Sequence, residues 1–360
     1  MRRINVKNLK SGMVVARAIF SSDGRILLHS GIMLSDSYIK RLEELGIDSI
    51  YVKDKIFGDL IYRDVVADET RINAIRTVRE NFNQLEKNHS LNTRAVKVTV
   101  SNIVDELLAN REILLSLSDI RAFDDYTYAH SVNVCILAIM TGITMGYDHT
   151  QINELGIGAL LHDIGKIRIN LRVLNKPGDL TREEFKEIKR HPEFGFKILR
   201  DYQELSLLST HVAYQHHERW DGQGYPRNLT GENILEYARI VAVADVYDAL
   251  LANRPYRPAY SINQSLNILK RMSGIYLDPN CVTALIANIA VYPIGTVVEL
   301  NTGDTGIVVD TNREHPTRPI VKVVLNSWGQ RVEHEVDLSK LSTIMVVKTL
   351  NEDEIDRLGD

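Results

Sequence analysis

Seven of the eleven histidines in this 360-residue chain fall between His130 and His217, and none follows for nearly a hundred residues. In "ALLHDIGKIRI" an apolar helix ends in His162-Asp163, an expensive pair to bury unless both groups are ligated or paired. In "AYQHHERWDGQGYP" two adjacent histidines, His216 and His217, precede a glycine-rich turn. Neighbouring helical side chains point about 100° apart, so these two rings cannot share one small apolar niche. A divalent metal accounts for such residues: imidazole offers a neutral nitrogen, and carboxylate offers charge and the capacity to bridge two ions. His130 on the preceding helix, His191 in "KRHPEFG" and Asp245 in "VAVADVYDAL" complete a set of five imidazoles and two carboxylates. That is too many ligands for one ion and enough for two. Any one of these histidines alone reads equally well as a packed core residue; the ensemble points to a metal centre with Asp163 between two ions.

Helices must position these residues. From Ser118 to about Val291 the pattern is almost wholly helical, with helices expected over 126–145, 151–163, 181–200, 204–219, 234–252, 261–272 and 278–290. Upstream, "MVVARAIFSSDGRILLHSG" gives two strand-like runs around Ser-Asp-Gly, and "SDSYIKRLEELGIDSIYV" a capped helix closing at Gly46 before a strand. Residues 68–118 carry Ile72, Ile75, Val78, Phe82 and Leu85 at helical spacing. They fit a linker helix, a dimerisation helix or the first layer of the next domain. After Val291 the period becomes two, rich in valine and threonine, as in a small all-β module. The boundaries expected are a small α/β module at 1–62, a helical linker or dimerisation segment at 63–117, a helical domain at 118–290, a β-barrel-like module at 291–350 and an acidic tail at 351–360.

Composition limits the partners. At 44% hydrophobic and 25% charged the chain is ordinary globular material, and a net charge of −4 argues against wrapping DNA or RNA or coating an anionic membrane. The longest apolar run, from Val132 to about Met145, is interrupted and reads as too short for a bilayer, and the N-terminus shows no apolar signal core. Two distant cysteines, Cys135 and Cys281, fit a reducing cytoplasm.

The order His130, His162-Asp163, Asp245 resembles the HD superfamily of metal-dependent phosphohydrolases. "HDIGK", "NKPGDLTREEFKEIKRHPEFG", "HHERWDGQGYP" and "ADVYDALLANRPYR" resemble its HD-GYP subfamily in particular, across residues 115 to 285. The resemblance implies a mainly α fold and hydrolysis of cyclic di-GMP to linear pGpG, and on to GMP in some members, by a hydroxide between two metal ions. It implies His130, His162 and Asp245 on one ion, His191, His216 and His217 on the other, and Asp163 as the bridge. Lys166 matches the lysine that steadies the scissile phosphate, and Arg254 and Arg257 match basic contacts to the ligand. Tyr225 would offer its ring and hydroxyl to a base, while Gly224 lets the loop bend close. The nitrogen–oxygen donor set suits Fe or Mn, with Zn or Ni as alternatives. Some members add a glutamate four residues before the first histidine and a third ion; here that position is Tyr126, so two ions are expected. Competing readings are a hydrolase of another cyclic dinucleotide or guanine nucleotide, and a non-catalytic cyclic di-GMP-binding signalling protein. Homodimerisation stays open, and the β module could bind nucleotide or a partner or simply pack.

Overall fold

The computed structural model describes residues 1–21, 26–47, 49–54, 57, 65–115, 126–176, 178–252 and 259–358, apart from the side chains of Arg3, Tyr126 and Asp356. Strands β1 (Arg2–Asn5), β2 (Val14–Val15), β3 (Ile19–Phe20) and β4 (Ile26–Leu28) lead into helix α1 (Asp36–Glu44) and strand β5 (Ser49–Lys53). β5 lies between β1 and β2, antiparallel to both, and β3 pairs with β4. The Ser35 side chain accepts from the Tyr38 N–H to start α1, and the chain leaves the helix through Gly46 at φ +67°. The Asp-Gly of the expected hairpin turn lies outside the described residues.

Eleven helices follow among the described residues: α2 (Asp68–Asn88), α3 (Thr93–Ala109), α4 (Tyr126–Thr144), α5 (His149–Leu160), α6 (Leu171–Leu174), α7 (Arg182–Ile188), α8 (His191–Leu199), α9 (Leu207–Gln215), α10 (Glu236–Leu251), α11 (Ile262–Met272) and α12 (Pro279–Ile286). The helical run read over 68–118 is broken after α2 by His89, a left-handed residue at φ 53°, and Asn92 caps the restart at α3. The helix read over 181–200 is likewise two. Pro192 has no N–H to return to the Ile188 carbonyl, so the chain turns at Lys189-Arg190 and restarts as α8. α4 is apolar all round, with Val134, Cys135, Ile136, Leu137, Ala138, Ile139 and Met140 buried, which makes it a central core helix. Thr127–Thr144 has the length and hydropathy of a membrane span, more than the interrupted run suggested, but 67% of it is buried inside the protein.

The chain ends in strands β6 (Val297–Leu300), β7 (Thr305–Asp310), β8 (Ile320–Leu325), β9 (Arg331–Asp337) and β10 (Val346–Thr349), then helix α13 (Glu352–Asp356). The five strands form one antiparallel sheet in the order β10-β6-β7-β8-β9. Among the described residues its edge strands, β10 and β9, are not paired to each other, so the barrel-like module is a five-stranded sheet without a hydrogen-bonded seam. The acidic tail is not free either. Asn351 caps α13 in a reciprocal pair with Glu354, and Ile355 is buried.

Two compact units result. One gathers Met1–Val65, Glu112–Tyr126 and Ile289–Asp360; the other is Val66–Arg111 with Thr127–Asn288. Within the first, the two small modules share a core: Phe57 packs with Val297, Ile307, Val324 and Ile355. The Asn5 N–H also donates to Glu352 Oε1. Within the second, the helices read as a linker pack as a first layer. α2 and α3 are joined by the Thr99–Thr77 hydroxyl bond at 3.1 Å, and α3 lies against α5.

Candidate metal centre

Helix ends build the site. A helix leaves its last carbonyls without partners, and three of them here are taken by histidine rings. After α5, His162 turns back and donates Nδ1–H to Ala159 O at 2.8 Å. At the α7–α8 break, the Ile188 carbonyl that Pro192 cannot reach accepts His191 Nδ1–H at 2.8 Å. At the end of α9, His216 Nδ1 lies 3.0 Å from Ala213 O and 3.2 Å from Val212 O. A carbonyl only accepts, so each of these rings carries its proton on Nδ1 and presents a lone pair on Nε2. His130, on α4, holds Nδ1 against Asp248 Oδ2 at 2.7 Å.

The free nitrogens converge on Asp163. Its Oδ2 lies 3.3 Å from His162 Nε2 and 4.0 Å from His130 Nε2. Its Oδ1 lies 3.4 Å from His191 Nε2 and 3.9 Å from His216 Nε2. Each carboxylate oxygen therefore faces a different set of histidines. Asp245, on α10, completes both sides: Oδ1 is 3.1 Å from His130 Nε2 and Oδ2 is 4.0 Å from His217 Nδ1. The adjacent pair solves its 100° divergence by using different atoms, Nε2 of His216 and Nδ1 of His217. Two clusters of donor atoms emerge, Asp163 with His191, His216 and His217, and His130 with His162 and Asp245.

These residues fit divalent cations on their own geometry. His162 Nε2 and Asp163 Oδ1 are buried with no hydrogen-bond partner, a costly state that a cation relieves. The Nε2 lone pairs of His191 and His216 face each other at 3.2 Å, which is repulsive unless something positive lies between them. Burial and the neighbouring rings hold the His216 pKa well below the ordinary value, and burial lowers His191 to about 3 and His217 to about 4. Burial pulls His130 down as well, but its bonds to Asp245 and Asp248 outweigh that and raise it to about 10. Burial pushes Asp163 up, yet Lys166, His162 and His191 hold it well below the carboxylate range.

The metal-free protein should therefore be most stable near neutrality. Unfolded histidines take up protons below about pH 6.5, whereas folded His191 resists down to about 3, so stability falls as pH drops through that window. His130 has the opposite sign: its contribution is complete below about 6.5 and is lost as pH rises through about 10. His217, 27% exposed at its side chain, contributes less than its buried neighbours. Urea titrations in chelator at about pH 5, 7 and 10 check this, and a midpoint unchanged from pH 7 to 5 would contradict it.

Lys166 Nζ lies 2.5 Å from Asp163 Oδ2 and is a quarter exposed, so it reaches the cluster from its solvent side. Tyr225 packs its ring 4.8 Å from the His217 ring, and its N–H donates to His217 O at 3.1 Å. Burial pushes its phenol above the ordinary range, leaving the hydroxyl neutral. Gly224 is pressed onto the preceding turn: a Cβ there would sit 2.3 Å from Arg219 N. Arg254 and Arg257 lie outside the described residues. His211 packs against Phe196 and Tyr214, and His149 stands exposed at the start of α5, both away from the clusters.

Two residues escaped the sequence reading. Glu218 is buried and accepts from the Arg227 and Leu229 N–H groups at 2.7 and 3.0 Å, pinning the Gly-Tyr-Pro loop. Asp248 is fully buried, held by Asn133 Nδ2 at 2.9 Å, and fixes the His130 ring. Its signal was its place one helical turn after Asp245. Asp248→Asn should weaken metal binding at the His130 cluster about 10- to 100-fold, read by competition with a metal-sensing dye. Wild-type affinity in that variant would remove Asp248 from the site.

Comparison with known proteins agrees with this architecture. The HD domain model matches residues 103–281, and a model described as a KOW domain associated with HD domain matches residues 297–358. A cyclic di-GMP phosphodiesterase of Pseudomonas aeruginosa is 38% identical over 231 residues, 63% of this chain and 56% of that one, so this chain spans little more than half of that relative. A cyclic di-GMP phosphodiesterase of Thermotoga maritima is 34% identical over 250 residues, 69% of this chain and 67% of that one. The solved structure of an HDG"Y"P protein from Bdellovibrio bacteriovorus superposes with a TM-score of 0.52 over 79% of this chain and 97% of that one, a likeness of fold at 20% identity. With the helical unit, its ordered His-Asp motifs and its Gly-Tyr-Pro loop in place, the chain belongs to the HD-domain family and, within it, to the HD-GYP subfamily.

Proposed function

We propose that this chain is a metal-dependent phosphodiesterase that hydrolyses cyclic di-GMP to linear pGpG. One observation carries the reading: four imidazoles have Nδ1 committed to an acceptor and turn Nε2 toward the two oxygens of Asp163. The relatives named as cyclic di-GMP phosphodiesterases supply the substrate class. His130, His162 and Asp245 would hold one divalent cation, His191, His216 and His217 the other, and Asp163 both. When bound, such a pair supplies the Lewis acidity that activates water and offsets charge on a phosphodiester. Lys166 adds a cation at the open side of the cluster, placed to donate to a phosphate oxygen. Tyr225 offers a neutral phenol and a ring face beside His217. Arg254 and Arg257, by their place in the motif, add guanidinium donors for a dianionic ligand. Two buried, unpaired cysteines support a reducing cytoplasm as its location.

Protein loaded anaerobically with Fe(II) or Mn(II) and incubated with cyclic di-GMP should yield pGpG by chromatography. Bound but uncleaved cyclic di-GMP at full metal occupancy would instead make the chain a binding protein. Elemental analysis should find two ions per chain, since Tyr126 stands where a third-site carboxylate would be. Three tightly held ions would overturn the two-metal reading.

A further inference from the structure

Beside the cluster, a cavity of about 400 Å³ runs from His217 and Asp245 to a wall made by Arg219, Met272, Tyr276 and Leu277. Its volume is in the range of small-molecule sites, roughly 300–1,000 Å³. The far wall is a built surface. The Arg219 guanidinium lies 4.0 Å over the Tyr276 ring, and Asp221 grips its Nε and Nη2 at 3.0 and 2.5 Å. The Trp220 N–H donates to Tyr276 O at 3.0 Å, and Tyr276 N–H to Met272 O at 2.9 Å, so the loop bearing the ring is tied to the turn after α9 and to α11. The Tyr276 side chain is nonetheless 38% exposed, and its hydroxyl makes no hydrogen bond among the described residues.

We propose that this cavity is a guanine-base subsite, with Tyr276 and Arg219 as its stacking wall. The inference rests on the phosphodiesterase reading, which puts a phosphate of the ligand at the His217–Asp245 end. Asp221 neutralises Arg219, so the guanidinium is a poor phosphate clamp and acts as a plane. That the base is guanine follows from the cyclic di-GMP reading; the wall itself supplies the stacking face. An exposed aromatic ring backed by a cation is the surface on which a purine stacks.

The test is equilibrium binding of GMP and of ribose 5-phosphate to the Mn(II)-loaded full chain, which differ by the base alone. Wild type should bind GMP more tightly. Tyr276→Ala should weaken GMP about tenfold and leave ribose 5-phosphate unchanged, while Tyr276→Phe keeps wild-type values for both. The proposal is overturned if wild type does not distinguish the two ligands, if Tyr276→Ala binds GMP normally, or if it weakens both alike. Failure of the Phe variant to preserve GMP binding would overturn the stacking role. No turnover is needed, so a wild type that binds GMP through its base yet leaves cyclic di-GMP intact would refute the hydrolytic reading alone.

Discussion

Asp163→Ala should empty both cation sites and lower turnover by roughly a thousandfold or more. The expectation rests on the division of labour within one carboxylate. Oδ2 faces His162 and His130 and Oδ1 faces His191 and His216, whereas Asp245 meets one ring on each side, His130 at 3.1 Å and His217 at 4.0 Å. Without Asp163, Lys166 loses its counter-charge and the His191 and His216 lone pairs remain opposed at 3.2 Å. Asp163→Asn keeps the shape but not the charge, so it should fail nearly as badly. Elemental analysis and turnover on the same samples check both variants. Near wild-type metal and rate in Asp163→Ala would show that the centre is assigned to the wrong residue.

Gly165→Ala should be the most damaging substitution outside the ligands. A Cβ at this position would sit 1.9 Å from His191 O and 2.5 Å from Gly195 N. Both are backbone atoms, which cannot swing aside as a side-chain tip would. The turn bearing Asp163 and the start of α8 would have to part, carrying His191 away from Oδ1. The expected loss is about 4 kcal/mol or more of folding stability, with loss of bound metal in whatever remains folded. Urea unfolding in chelator reads the first effect and elemental analysis the second. A variant with an unchanged midpoint would mean that α8 has slack the structure does not show.

The candidate site was legible because its residues are chemically conspicuous: imidazoles and buried carboxylates in apolar helices declare themselves by type and order. Their orientation was not. That the Ile188 carbonyl turns His191 follows from Pro192, visible in the sequence, but only once the helix is known to stop there. Asp248 was hidden beside the more obvious Asp245, since a sequence does not say which of two carboxylates faces a ring. Periodicity gave the helical and β regions their class and missed how they associate. Phe57 and Ile355, some three hundred residues apart, meet in one core, and neither lies in a pattern that names its partner. The break at His89 escaped because a left-handed residue other than glycine carries no compositional mark.

Three of the five rings are aimed by main-chain carbonyls, at Ala159, Ile188 and Ala213, and one is aimed by a side chain, Asp248. Every amino acid supplies the same carbonyl, so no missense change at codons 159, 188 or 213 can delete the acceptor itself. Codon 248 has no such insurance. Under random mutation the rings therefore differ in robustness: His162, His191 and His216 keep their acceptors in every allele, whereas the His130 ring can lose its own by a single nucleotide change at codon 248, in α10, at a residue that is not itself a ligand.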